Sequence, residues 1–280
     1  MDADTPTGLA ATGITVGYDG ADVVHQANLR LPRGRVAALI GPNGSGKSTL
    51  LRALARLHRP RTGSVTVRAE GADPVDALAL SRTDFARRVT LLAQSRATPA
   101  GLSVREVVGF GRHPYRSRLR GSDPDGVRLV EHALAVTNVT ELADRGVESL
   151  SGGQLQRVWL ACCLAQDTEV LLLDEPTTYL NLRYQVEILD LVRDLADTHG
   201  VTIGVVLHDL DQAAAVADQV VRRTPGGSLR GGRGEPVGVL REVPRMDIWA
   251  DALPNLCATS SASHARKPAP SRSVWSRHPR

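Results

Sequence analysis

Four short clusters of polar residues in this chain have the types and surroundings to act on a phosphate ester. The first is Gly41-Pro42-Asn43-Gly44-Ser45-Gly46-Lys47-Ser48-Thr49, set between the apolar run Val36-Ala37-Ala38-Leu39-Ile40 and the apolar-periodic segment Leu50-Leu51-Arg52-Ala53-Leu54. Glycines at this spacing let backbone N–H groups curl around an anion, and the start of the following helix adds a favourable partial charge. Lys47 then reaches the β- and γ-phosphates of a nucleotide, and Ser48 holds magnesium. Lys47 and Lys267 are the only lysines in a sequence that otherwise takes its positive charge from arginine, which suits a compact point charge at this position.

The second cluster, Asp174-Glu175, closes the apolar run Val170-Leu171-Leu172-Leu173 and so puts two carboxylates at the carboxyl end of a buried strand. Ligands of open α/β sheets sit at such ends. Asp174 can hold magnesium directly or through water, and Glu175 can polarise an attacking water. The third is His208-Asp209, at the end of the apolar run from Val201 to Leu207. A histidine there can contact a γ-phosphate, although in isolation it is ordinarily a structural hydrogen-bonder. The fourth is Ser151-Gly152-Gly153-Gln154, where Ser151 suits a helix N-cap and two glycines expose backbone N–H groups, a second potential anion site.

The segments around these clusters are those of an α/β protein. Residues 13 to 31 predict short strands and turns, with a turn near Tyr18-Asp19-Gly20 and another at Pro32-Arg33-Gly34. Tyr18 can stack on an adenine ring, or simply pack at a strand end. Ser64 to Val67 and Val89 to Leu92 predict further strands, and Gln94 follows the second at the point where the chain changes character. From Ser95 to Leu150 the pattern is helical: Ser103-Val104-Arg105-Glu106 forms a capping start, and Asp125 to Asn138 carries apolar residues at helical spacing. This is an inserted helical lobe, in which Gly109-Phe110-Gly111-Arg112-His113-Pro114-Tyr115, taken alone, reads as a solvated loop. Arg183 to Thr198 has Val186, Leu189, Val192 and Leu195 at steps of three, an amphipathic helix.

The 280 residues, 42% of them hydrophobic, are enough for one large core or two modest ones. The N-terminus lacks the basic flank and apolar stretch of a signal peptide, and the apolar runs are too short to cross a bilayer, so a cytoplasmic location is expected. Cys162, Cys163 and Cys257 form neither a disulfide framework nor a metal-ligand spacing, and the adjacent pair suits buried small side chains. The net charge of +4 is uneven: residues 222–280 hold eleven Lys and Arg against four Asp and Glu, a balance of +7, which leaves −3 for residues 1–221. The basic character therefore belongs to the tail, and a nucleic-acid partner loses its support.

In this order the pieces closely resemble the ATP-binding subunit of ATP-binding cassette (ABC) transporters, over residues 8 to 221. The resemblance makes 41 to 49 the Walker A segment, Gln94 the Q-loop glutamine, Leu150 to Gln154 the signature, Val170 to Asp174 the Walker B segment followed by Glu175, and His208 the switch histidine. The signature decides the matter, since other P-loop enzymes lack it. The fold implied is α/β: a P-loop NTPase (RecA-like) core with an N-terminal antiparallel β part and an α-helical subdomain inserted at about residues 95–157. The resemblance further implies that Tyr18 stacks on adenine and that Gln94 joins Ser48 and Asp174 at Mg²⁺. It implies that two subunits pair head to tail around two ATP molecules, each presenting Ser151, Gly152 and Gly153 to the γ-phosphate held by the other. Glu175 would orient or deprotonate water, and His208 would sense the γ-phosphate.

Leu102-Ser103-Val104-Arg105-Glu106-Val107-Val108, Gly111-Arg112-His113-Pro114-Tyr115 and Pro176-Thr177-Thr178-Tyr179-Leu180 are similar to the importers of iron-siderophores, haem and cobalamin. That group implies a peripheral ATPase at the cytoplasmic face of the membrane, a separate multi-span permease and, indirectly, an extracytoplasmic substrate-binding protein. A soluble ABC-type ATPase acting on nucleic acid or ribosomes is the alternative, against which stand the single motif set and the absence of sustained heptads. Two departures stand out. Asn181 occupies the D-loop position where the family usually has aspartate. After Val221, where the family usually continues with a β-hairpin, the chain reads Arg222-Arg223-Thr224-Pro225-Gly226-Gly227, opening a basic tail over residues 222–280 whose Ser/Ala/Pro/Arg-rich end, from Ala258, reads as disordered. A local disruption of the reading frame would account for that stretch, and a tail that touches anionic lipid is the other reading.

Overall fold

The computed structural model describes residues 7–69, 72–94, 96–116, 123–222 and 239–240. Cys257, Lys267 and most of the basic tail, with the readings made for them, lie outside the described residues.

The chain opens with β1 (Thr7–Tyr18) and β2 (Ala21–Pro32), an antiparallel hairpin joined by Asp19-Gly20. Both joining residues have positive φ, 49° and 85°, as a type I′ turn requires, and an Asp-Gly pair tolerates that geometry well. Then follow β3 (Val36–Ile40), α1 (Lys47–Leu54), β4 (Thr62–Val67), β5 (Val75–Asp76), α2 (Arg82–Ala86) and β6 (Val89–Leu92). A helical stretch contains α3 (Val104–Gly109), α4 (Gly126–Val136) and α5 (Gly152–Ala165). The chain returns through β7 (Val170–Asp174), α6 (Leu182–Asp197), β8 (Thr202–Val206), α7 (Leu210–Val216), β9 (Gln219–Arg222) and β10 (Val239–Leu240).

Two sheets result. One is antiparallel, in the order β2-β1-β4-β5; the other runs β10-β9-β3-β8-β7-β6, parallel except for β10, which pairs antiparallel with β9. Strands β3, β7 and β8 are buried along their whole length, which is why they read as unbroken apolar runs rather than alternations. One face, with Val36, Ala38, Leu171, Leu173, Ile203 and Val205, packs on the helices. The other, with Ala37, Leu39, Val170, Leu172 and Val206, packs on α1 and the antiparallel sheet.

The helical stretch begins with the capping box expected from its sequence: Ser103 N donates to Glu106 Oε2 at 2.8 Å and Glu106 N donates to Ser103 Oγ at 3.3 Å. The Ser103 N–H, and with it the Ser103 hydroxyl that also donates to Oε2 at 2.8 Å, hold the Glu106 carboxyl below its ordinary pKa.

One expectation fails here. The segment from Gly109 to Tyr115 is not a solvated loop but a run of 3₁₀ turns, Phe110–Tyr115, in which Arg112 is only 3% exposed. Its guanidinium takes Asp123 in a fork at 2.8 and 3.0 Å, donates to the Ala165 carbonyl at 2.9 Å and lies 3.8 Å from the Tyr115 ring centre. A charge is tolerated in such a place when its donors are partnered, and the partners here are remote in sequence. Gly111 permits the approach, since a Cβ there would sit 2.1 Å from the Cys162 carbonyl oxygen of α5.

Candidate functional site

Because β3, β8, β7 and β6 are adjacent and parallel, their carboxyl ends open on one edge of the sheet. Those ends lead into Gly41–Thr49, His208, Asp174-Glu175 and Gln94 respectively. Three of the polar clusters and Gln94, far apart in sequence, thus meet through strand order.

The loop after β3 folds back on α1. Gly46, the N-cap, has φ 84°, and a Cβ there would come within 3.0–3.2 Å of Val24 and Val23, so both the backbone angle and the close approach of β2 call for glycine. Ser45 N closes the turn onto the Pro42 carbonyl at 3.2 Å. Lys47 is 4% exposed, and its Nζ donates to the Gly41 and Pro42 carbonyls at 2.8 and 3.1 Å, so the ammonium is held across the mouth of the loop.

Asp174, at the end of β7, is 1% exposed and accepts from Ser48 Oγ at 2.7 Å. Burial pushes its pKa up, against the Ser48 hydrogen bond. Its other oxygen, Oδ2, is buried without a hydrogen-bond partner. Lone pairs left open beside a serine hydroxyl fit a hard cation that takes oxygen ligands. Among the described residues no group of three or more His, Cys, Asp or Glu could hold a metal. One carboxylate and one hydroxyl, with phosphate oxygens to complete the shell, is a donor set suited to Mg²⁺.

Glu175 follows in a left-handed backbone conformation, φ 54°, with its side chain 8% exposed. Gln94 Nε2 and, at 3.2 Å, Thr178 Oγ1 donate to its Oε2, and His208 Nε2 lies 2.6 Å from the same oxygen. A cavity of about 440 Å³ lies over these groups, lined by Val23, Asn43, Gly44, Gly46, Lys47, Ser48, Thr49, Gln94, Glu175, Thr178, Tyr179 and His208. It is polar, it has a cationic floor, and it presents a carboxylate to whatever lies against the loop.

A profile of the ABC transporter family matches residues 24–178. The chain belongs to the ABC transporter family. The achromobactin transport ATP-binding protein of Dickeya dadantii is 44% identical over 215 residues, covering 77% of this chain and 78% of that protein. The ferric enterobactin transport ATP-binding protein of Escherichia coli is 40% identical over 240 residues, covering 86% of this chain and 84% of that one. Among solved structures, an ABC transporter of metal-chelate type in an inward-facing conformation superposes with a TM-score of 0.67 at 29% identity, covering 78% of this cassette and 79% of that chain.

Within the cassette, not every expected site residue lies at the cavity. Gly41, Pro42 and Ser45 shape the loop without lining the cavity, and Asp174, buried and bonded to Ser48, does not line it either. Tyr18 stands at the end of the β1–β2 hairpin, 40% exposed and tilted onto His58 at 4.5 Å between ring centres. Ser151, Gly152, Gly153 and Gln154 are outside the lining altogether. They form the N-terminal cap of α5, in which Ser151 N donates to Gln154 Oε1 at 3.0 Å and Gln154 N to Ser151 Oγ at 3.4 Å. Asn181 caps α6, accepting from Tyr184 N at 3.2 Å, a task its amide oxygen performs as an aspartate would.

Three lining residues had no site role in the sequence reading. Thr178 and Tyr179 follow Glu175 closely, so their position was legible, but only the fold turns them toward the cavity. Val23 had no signal at all.

Proposed function

We propose that this cassette is the ATP-hydrolysing subunit of an importer that takes up an iron-siderophore-type chelate, haem or cobalamin through a separate multi-span permease. The observation that carries the reading is the approach of Gln94, Thr178 and His208 to Glu175 beside the lysine-bearing loop, which supports Glu175 as the base acting at the terminal phosphate of a bound ATP. The import names of the relatives support the class of cargo.

In this reading, the body is residues 8–221, with the helical subdomain at about 95–157, and residues 222–280 are a basic tail. The loop Gly41-Pro42-Asn43-Gly44-Ser45-Gly46-Lys47-Ser48-Thr49 holds the phosphates, and Tyr18 stacks on the adenine. Ser48, Asp174 and Gln94 hold Mg²⁺, which when bound offsets charge on the phosphoryl oxygens. Glu175 orients water and accepts its proton, while Gln94, His208 and Thr178 fix the carboxylate that does so. Lys47 stabilises charge developing on the transferring group. Ser151, Gly152, Gly153 and Gln154 serve a second copy, paired head to tail, so that each active site draws on two chains. The assembly works at the cytoplasmic face of the membrane, and an extracytoplasmic substrate-binding protein supplies the cargo.

The test is to recover tagged Glu175→Gln protein from native membranes in the presence of ATP and identify what comes with it. A co-purifying multi-span permease is the expected result. Ribosomes or DNA-bound proteins in its place would overturn the importer reading.

A further inference from the structure

The segment that leaves α1 returns to grip the β1–β2 hairpin from beneath, and two of its side chains do the work. His58 Nε2 lies 2.5 Å from the Gly17 carbonyl oxygen, and the His58 ring meets the Tyr18 ring at 4.5 Å between centres with 59° between planes. Since a carbonyl only accepts, Nε2 carries the proton; the neutral ε tautomer and the cation satisfy the contact alike. Arg61 completes the grip, its NH2 donating to the Gly20 carbonyl at 3.2 Å and its NH1 facing Asp22 Oδ1 at 3.2 Å.

This hairpin end also adjoins the phosphate cavity. Val23 of β2 lines that cavity, and its Cγ1 would lie 3.1 Å from a Cβ on Gly46. Tyr18 pairs across the hairpin with Ala21, two residues before Val23; the register shifts between Val16–Val24 and Gly17–Asp22, so Val23 is the extra residue of a bulge, and both it and Val24 approach Gly46. The Tyr18 backbone therefore lies only about two strand residues, roughly 7 Å, along the hairpin from a residue that lines the cavity, a span that a base attached to phosphates seated at Lys47 can cover. Tyr18 is nevertheless 40% exposed, and at a hairpin tip only a neighbour can hold its orientation.

We infer that His58 is a positioning residue for nucleotide binding: it fixes Gly17 by hydrogen bond and the Tyr18 ring by contact, so that the tyrosine is set as a platform for the base before ATP arrives. This rests on the reading that Tyr18 stacks on adenine. A platform already ordered loses less freedom on binding, and an aromatic pair contributes on the scale of a few-fold to tenfold in an equilibrium constant.

The test compares ATP with inorganic tripolyphosphate, both with magnesium, by calorimetric titration of the full chain. His58→Ala is expected to weaken ATP about two- to tenfold and leave tripolyphosphate unchanged, and to add nothing further in a Tyr18→Ala background. His58→Gln, whose amide can still donate to Gly17, is expected to fall between His58→Ala and the parent, which keeps the test open if the alanine variant folds poorly. If Tyr18→Ala weakens ATP selectively while His58→Ala and His58→Gln do not, the inference about His58 is wrong and base stacking stands. Should Tyr18→Ala itself leave the ratio of the two affinities unchanged, stacking and the inference fall together. Equal weakening of both ligands by His58→Ala overturns the inference in favour of a purely structural role.

Discussion

Around the cavity, Ser48, Gln94 and His208 meet residues at the end of another strand. Ser48 reaches Asp174 across 126 residues of sequence, and Gln94 and His208 reach Glu175 from opposite sides of β7. At the start of α5 the polar groups are satisfied locally, Ser151 by Gln154 and the reverse, within one turn of helix. One region is an assembly of distant pieces that leaves an acidic oxygen of Asp174 without a partner. The other is a self-contained cap outside the cavity. The difference teaches that the two parts of the proposed site have different dependencies: the groups gathered at the phosphate cavity come from distant stretches of one chain, whereas the signature segment stands outside that cavity with its polar groups satisfied in its own turn.

The severest way to break the comparison is at Lys47. Its ammonium is buried and already tied to the loop, so Lys47→Ala removes the charge that the phosphates would meet and collapses the loop's anchor. Loss of a buried hydrogen-bonded charge of this kind corresponds to a rise of about a hundredfold to a thousandfold in the ATP Kd. Titration with ATP and magnesium checks it, and an unchanged Kd would show that the cavity is not the phosphate site. Next comes Glu175→Gln, which keeps the shape of the cluster formed with Gln94, Thr178 and His208 but removes the base. Hydrolysis should drop by about 10²- to 10⁴-fold with ATP binding preserved, and the ATP-bound protein should accumulate as a dimer in size-exclusion runs. Brisk phosphate release from that variant would remove Glu175 from its proposed role.

The signature segment predicts a different pattern. Ser151→Ala should leave the affinity of the isolated chain for ATP untouched, while the assembled, membrane-bound form loses about tenfold or more in turnover through a lost hydrogen bond to a charged group. Its Tm should also fall by about 2–4 °C, because an N-cap is worth about 1 kcal/mol. A drop in single-chain affinity would mean that Ser151 does reach the cavity in solution, and the division between the two regions would vanish.

Much of this arrangement was legible beforehand, for a physical reason. A parallel strand buried on both faces must be apolar throughout, so Val36-Ala37-Ala38-Leu39-Ile40, Val170-Leu171-Leu172-Leu173 and the run from Val201 to Leu207 announce themselves, and polar residues directly after them are already at the sheet's ligand-binding edge. The Asp-Gly turn at 19–20 and both capping boxes are equally local signals. What escaped depends on the partner rather than on the residue. Arg112 looked solvated because nothing near it in sequence shows that Asp123, Ala165 and Tyr115 will enclose it. His58 and Gly17 lie 41 positions apart, with no pattern linking them. Thr178 meets Glu175 through a local turn, in which Thr178 N donates to the Glu175 carbonyl at 3.3 Å, and residue type alone does not announce it.

The smallest expected effect probes the same contrast from the side of stability. Burial raises the Asp174 pKa above its unfolded value, and the Glu175 charge acts in the same direction, while the Ser48 hydrogen bond with Arg52 and Lys47 opposes them. A carboxyl of this kind holds its proton more tightly folded than unfolded. Its contribution to stability therefore increases as pH falls through the folded pKa and is complete below the unfolded one, and at neutral pH the ionised group is a net cost. Asp174→Asn removes that cost and keeps an oxygen to accept from Ser48. The metal- and nucleotide-free variant should melt about 2 °C higher than the parent at pH 7, and the gap should close as the pH is lowered into the carboxyl range. A variant that melts lower at pH 7 would mean that the charge helps to hold the empty cavity together. The pocket would then resemble the cap of α5, satisfied by itself, rather than a site whose buried charge awaits a cation.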